Sequence, residues 1–98
     1  MKQIKISDAA AQDLVIGFKF YENQEQGIGH YFLDSLYSDI DSLALYAGIH
    51  PVYFKKYHRM LAMRFPFAIY YTCNNDFVYV NAVLDCRKEP SWLKEYLS

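Results

Sequence analysis

Between residues 9 and 24, apolar side chains return three and four positions apart: Ala11, Leu14, Val15, Phe18 and Tyr21. That spacing predicts a helix with one apolar stripe. Ser7 and Asp8 stand just before it, and either side chain can cap the first turn. Ile16 and Phe20 fall off the stripe, four residues apart, on the side that carries Asp13. Either the helix is covered on two sides or it offers a patch to a partner. A second helix is predicted over 30–47, with Phe32, Leu33, Leu36, Tyr37, Ile40, Leu43 and Ala47 turned inward. Asp34, Ser38 and Asp41 then face outward. Gly48 ends this helix and Pro51 prevents its continuation. Gly27-Ile28-Gly29 alone separates the two, so they should form an antiparallel helical hairpin.

A short strand, Gln3–Ile6, precedes the hairpin, and after Pro51 the period drops to two. Residues 57–63 read as a strand with Tyr57, Arg59 and Leu61 on one face and His58, Met60 and Ala62 on the other. Arg64-Phe65-Pro66 makes a turn into a strand over Phe67–Cys73. Asn74-Asn75-Asp76 is a tight connection to a last strand over 77–84. Both later strands are nearly unbroken in apolar residues, which places them centrally in the sheet. Pro90 opens a final helix carrying Trp92, Leu93, Tyr96 and Leu97. The order β-α-α-β-β-β-α defines one α+β domain over residues 1–98. A helical hairpin packs on a small, twisted, mainly antiparallel sheet with a short C-terminal helix.

Composition agrees with one well-filled core. Of the 98 residues, 53% are hydrophobic and 18% aromatic, which excludes a disordered chain or a coiled coil. Two cysteines cannot staple a small secreted fold, and no export signal or membrane span is legible. The expectation is a cytoplasmic protein in which Cys73 and Cys86 are reduced packing residues. The formal charge of −1 hides a division. Residues 1–49 hold three basic and seven acidic residues, residues 50–98 seven basic and four acidic, and no acid lies between Asp41 and Asp76. Such a basic half can attract an anionic partner locally, or its charges can simply solvate exposed faces. His30, His50, His58, Cys73 and Cys86 have no metal-ligand spacing. Neither a phosphate-cradling glycine loop nor a nucleophile elbow occurs, so no metal and no cofactor is expected.

Three segments carry a family resemblance: Gly-Ile-Gly-His-Tyr-Phe at 27–32, Tyr-His-Arg-Met-Leu-Ala-Met-Arg-Phe-Pro-Phe-Ala-Ile-Tyr-Tyr at 57–71, and Ala-Val-Leu-Asp-Cys-Arg-Lys-Glu-Pro at 82–90. In this order they resemble the RelE/ParE superfamily of type II toxin–antitoxin toxins, also called plasmid stabilisation proteins. The resemblance spans almost the whole chain. It implies a small toxin neutralised by a cognate antitoxin, with a homodimer possible when the antitoxin is absent. It further implies one of two activities: ribosome-dependent cleavage of messenger RNA, or inhibition of DNA gyrase without nuclease chemistry. An inactive member kept as an antitoxin-binding or self-associating module is the alternative.

Cleaving RNA through its 2′-hydroxyl needs a base, cations for the phosphate and an acid for the leaving oxygen. By position in the family's motifs, Arg59 and Arg87 match phosphate-facing arginines, with Arg64 and Lys88 nearby. Arginine suits phosphate because its planar fork binds two oxygens at once. Lys55 and Lys56 would meet the RNA backbone, and Ile16 and Phe20 would meet the antitoxin. Many relatives have histidine where this chain has Asp85, which removes one candidate acid. Asp85 is expected to pair instead with Arg59 or Arg87. His50, His58 and Tyr96 remain as acid–base candidates, each with a plainer role as a loop, sheet or core residue.

Overall fold

The computed structural model describes residues 1–87; the expected C-terminal helix with Trp92 and Tyr96, and Lys88 before it, lie outside the described residues. The elements are β1 (Gln3–Ile6), α1 (Asp8–Gln24), α2 (Ile28–Tyr46), β2 (Val52–Tyr53), β3 (Tyr57–Leu61), β4 (Phe67–Cys73) and β5 (Phe77–Asp85). They form a five-stranded sheet in the order β1-β5-β4-β3-β2 with the helical hairpin on one face. β1 runs parallel to β5 and every other pair is antiparallel. The expected β1, α1, α2, β4 and β5 thus match within two residues, and β2 is an addition, too short at two residues to leave a periodic signal. Among the described residues, no helix is long and apolar enough to cross a membrane.

Strand alternation divides the sheet residues between two faces. Met60, Phe67, Ile69, Tyr71, Val78, Val80 and Val83 meet Leu14, Phe32, Leu36, Ile40 and Leu43 under the helices. Tyr57, Ala68, Tyr70, Ala82 and Leu84 cluster on the opposite face, with Cys86 against them. A register shift between Tyr70 and Tyr71 places Asn81 as an extra residue in β5. This bulge keeps both Val80 and Val83 on the helix side although they are three apart. The third strand ends at Leu61 rather than at residue 63 because its backbone finds other partners there. Ala62 donates to the Phe67 carbonyl, and the Met63 N–H donates to Oδ2 of buried Asp39 on α2.

The helix interface corrects the expected stripe on α1. Ala10, Leu14 and Gly17 are its buried residues, whereas Ala11 and Val15 face solvent. Gly17 is the reason. A β-carbon there would lie 2.5 Å from the ring of Phe32, so only glycine lets α2 come this close. On α2, Tyr37 is exposed, and buried Ser35 and Asp39 share the inner face with the expected aliphatic residues. The hairpin turn also has a cap that spacing did not reveal. Gly27, in a left-handed conformation at φ 94°, precedes α2, and the Glu22 carboxylate accepts the N–H groups of Gly27 and Gly29. An acid from the preceding helix therefore does the capping that Ser, Thr or Asp usually performs.

Candidate functional site

Two places on the surface collect the expected functional residues, and they lie on opposite faces of the sheet. The first is a groove beside α1. β1 pairs with β5 only through Val80, so beyond it no strand among the described residues pairs with the outer edge of β5, which runs past α1. Asp13 covers part of this edge: its Oδ2 accepts the Val83 N–H at 3.0 Å. Next to it is a cavity of 420 Å³ whose walls include Ile16, Gly17, Phe20, Phe67, Val83 and Arg87. Ile16 is 58% exposed and Phe20 48%, so neither is covered by the described fold. The second-cover alternative for this side of α1 is thereby removed for the described residues.

Arg87 belongs to this groove. Asp85 stands opposite Phe67 in the register, on the helix side, and holds the guanidinium through Nε at 2.8 Å and Nη2 at 2.6 Å. The two residues are the ion pair expected of Asp85. That hydrogen-bonded carboxylate, together with its charge, pushes the Arg87 pKa further up. On the α1 side, Tyr21 lies near Arg87; burial raises the phenol's pKa and the arginine partly offsets this.

The second place is the sheet face away from the helices. Arg59 projects there from β3 beside Tyr70 of β4, its register partner. Nε donates to the Tyr70 hydroxyl at 3.1 Å, and Nη2 points to Cys86 Sγ at 3.6 Å. The guanidinium carbon sits 5.0 Å from the centre of the Tyr53 ring. Burial works against this charge, while the Tyr70 hydroxyl and the neighbouring rings support it, and the net shift is upward. Among the described residues no carboxylate pairs with Arg59. Lys56 lies over the Tyr57 ring at 5.1 Å, and exposed Lys55 precedes it in the turn between β2 and β3. Phe54 and Lys55 both take left-handed backbone angles, φ 55° and 62°. Such angles in two successive non-glycine residues cost about 1–3 kcal/mol each and persist only where the surroundings enforce them. The result is a cationic, tyrosine-lined face that leaves several guanidinium and ammonium donors available to an anion.

Arg59 and Arg87 are thus not brought into one site. Arg64 is exposed in the connection from β3 to β4, at the other end of β3 from Lys55 and Lys56. Among the histidines, His30 packs edge-on to Phe18 between the helices. His58 points to the helix side, stacked on Tyr71, and His50 binds the Tyr71 hydroxyl. No histidine among the described residues faces Arg59. Tyr53, Tyr70 and Cys86 were missing from the expected site. Tyr70 was within reach of sequence reasoning, because a hairpin centred on Arg64-Phe65 places position 70 across from position 59. Tyr53 had no such signal. Among the described residues, no three His, Cys, Asp or Glu side chains converge as a metal site would require.

No family model matches this sequence, and no curated protein matches it. In shape, the chain is similar to one from the "Chromosomal ParDE TA system from P. aeruginosa", with a TM-score of 0.77 over 85% of this chain and 94% of that one. Sequence identity between the two is 15%, so the likeness rests on architecture. The chain accordingly has the α+β fold found in a toxin–antitoxin system, as the order of its sequence motifs implied.

Proposed function

We propose that this chain is the toxin of a type II toxin–antitoxin pair, acting in the cytoplasm and arresting growth by binding its target rather than by cutting RNA. The observation that carries the second half is the direction of the histidines. His50 and His58 are both engaged with Tyr71 on the helix side, so the arginine expected to face phosphate has no imidazole beside it. Arg87, the other expected phosphate ligand, is held by Asp85 on the far face. A gyrase-type target fits this arrangement, with Arg59 and the Lys55–Lys56 turn as the contact surface. The antitoxin would seat on the groove at Ile16 and Phe20, whose exposure supports a protein partner.

One feature favours the nuclease reading: Lys56 and Arg59 lie on one face, with exposed Lys55 in the turn beside them and no carboxylate paired with Arg59 among the described residues. Induction in cells separates the two. Filamentation with a DNA-damage response and intact messages is expected; messages cut within codons would establish the nuclease instead. Unaffected growth would indicate an inactive interaction module. Arg59→Ala is expected to relieve growth arrest while leaving antitoxin binding unchanged, because the arginine and the groove occupy opposite faces. Loss of antitoxin binding in Arg59→Ala, measured by co-purification, would contradict the separation.

A further inference from the structure

We propose that His50, Tyr71 and His58 form a proton-operated latch that holds the Arg59 face in shape, closed while His50 is neutral and released when it takes up a proton. The inference goes beyond the function proposed above and stands whether that face meets protein or nucleic acid. It begins with Tyr71, whose side chain is fully buried beneath α2 and whose hydroxyl emerges at the loop after that helix. There the Gly48 N–H donates to it at 2.9 Å, and Nδ1 of His50 lies 2.5 Å away. With its oxygen accepting from Gly48, the phenol needs an acceptor for its own hydrogen. His50 supplies one only as the neutral ring with its proton on Nε2.

The loop is held by two further bonds. Nδ1 of His58 donates to the His50 carbonyl at 2.7 Å, with the His58 ring stacked on Tyr71 at 5.1 Å and 19°. The Arg59 N–H donates to the Pro51 carbonyl at 2.9 Å. β2 starts at the next residue, and its Tyr53 is the ring that covers the Arg59 guanidinium. The latch therefore sets where β2 lies, and β2 sets the cationic face.

The titratable groups around His50 are His58 from β3 and Tyr71 and Cys73 from β4; the loop contributes the Gly48 N–H. Burial and the neighbouring His58 both move the His50 pKa down from the ordinary imidazole value. Burial moves the Tyr71 phenol up, so it stays a hydrogen donor. A proton added to Nδ1 would point at a hydroxyl already receiving one hydrogen and would place a charge beside His58. The closed loop thus resists a proton that the open loop accepts. Because the closed-state value is depressed, the proton-linked part of closure is fully present above about pH 6.5 and is lost as pH falls from there to the closed-state value. Within that window the closing constant drops by up to about tenfold per pH unit.

Residue-resolved amide exchange on the intact chain from pH 5 to 8, corrected for intrinsic rates, tests this. Protection of Gly48 and Arg59 should fall with pH at up to that slope, while Ile69 in the central strand stays constant. His50→Gln keeps an acceptor for Tyr71 but does not titrate, so it should hold protection at pH 5. Tyr71→Phe should expose the Gly48 amide even at pH 8. Nitrogen shifts of the His50 ring at pH 8 should show a bare Nδ1. A proton on Nδ1 at pH 8, a flat wild-type profile, or an unchanged slope in His50→Gln would each overturn the latch.

Discussion

Phe32→Ala is expected to lower the stability of the fold by about 3–5 kcal/mol, as large-to-small changes of a buried aromatic do. Phe32 is fully buried, with ring centres of Tyr21, Phe65 and Phe67 at 5.2, 5.1 and 4.9 Å. It joins α1, α2 and the start of β4, so the cavity left behind cannot close without moving all three. Gly17 gives the prediction a second arm. In the native chain, Gly17→Ala forces a methyl group against the ring and should destabilise, since overpacking of about 1–3 kcal/mol outweighs the helix-propensity gain of about 1 kcal/mol. In a Phe32→Ala background the obstacle is gone, and the same change should stabilise by about 1 kcal/mol. Urea unfolding of the four chains reads this cycle directly. Equal effects of Gly17→Ala in both backgrounds would mean that the two residues do not meet as described.

The second large effect is on partner binding. Ile16→Ala with Phe20→Ala should weaken binding to the neighbouring-gene antitoxin by about two to three orders of magnitude, each residue being placed as a central apolar anchor worth about 2 kcal/mol. Stability should change little. Both side chains are largely exposed on α1, and exposed helix positions accept alanine within about 0.5 kcal/mol. Calorimetric titration gives the affinity and thermal unfolding the control. Unchanged affinity with unchanged stability would move the antitoxin off this groove. An accompanying loss of several degrees in melting temperature would instead make the pair part of the core.

The exposure of Ile16 and Phe20 illustrates what periodicity can and cannot tell. Their position off the stripe was plain in the sequence, because the angle between helix residues is fixed by geometry. Whether something covered that side was not, since cover comes from elements distant in the chain. The same division holds on the sheet. Alternation placed Arg59 and His58 on opposite faces, and the nearly unbroken apolar runs placed β4 and β5 in the middle. Yet Arg87 and Arg59, both expected to face phosphate, lie on opposite faces. Residues past a strand end have no fixed alternation. The side of Arg87, two residues beyond β5, depends on its partner Asp85.

Glu22, Asp13 and Asp39 carry the same lesson for polar groups. As residues in a helical pattern they read as solvated acids. In the fold each accepts backbone N–H groups from elsewhere: Glu22 at the helix turn, Asp13 at the open edge of β5, Asp39 at the end of β3. Their role follows from donors left over by other elements, and a local pattern contains no record of those.

By itself, then, the sequence determined the main elements other than β2, their order and which residues of β3 share a face. Those follow from side-chain spacing and from glycine and proline chemistry, which act over a few residues. Tertiary structure alone decided the close helix crossing at Gly17, the groove beside α1, the separation of Arg59 from Arg87 and the contact of His50 with Tyr71. Each of these is a contact between segments far apart in the chain, set by which atoms meet when the core closes.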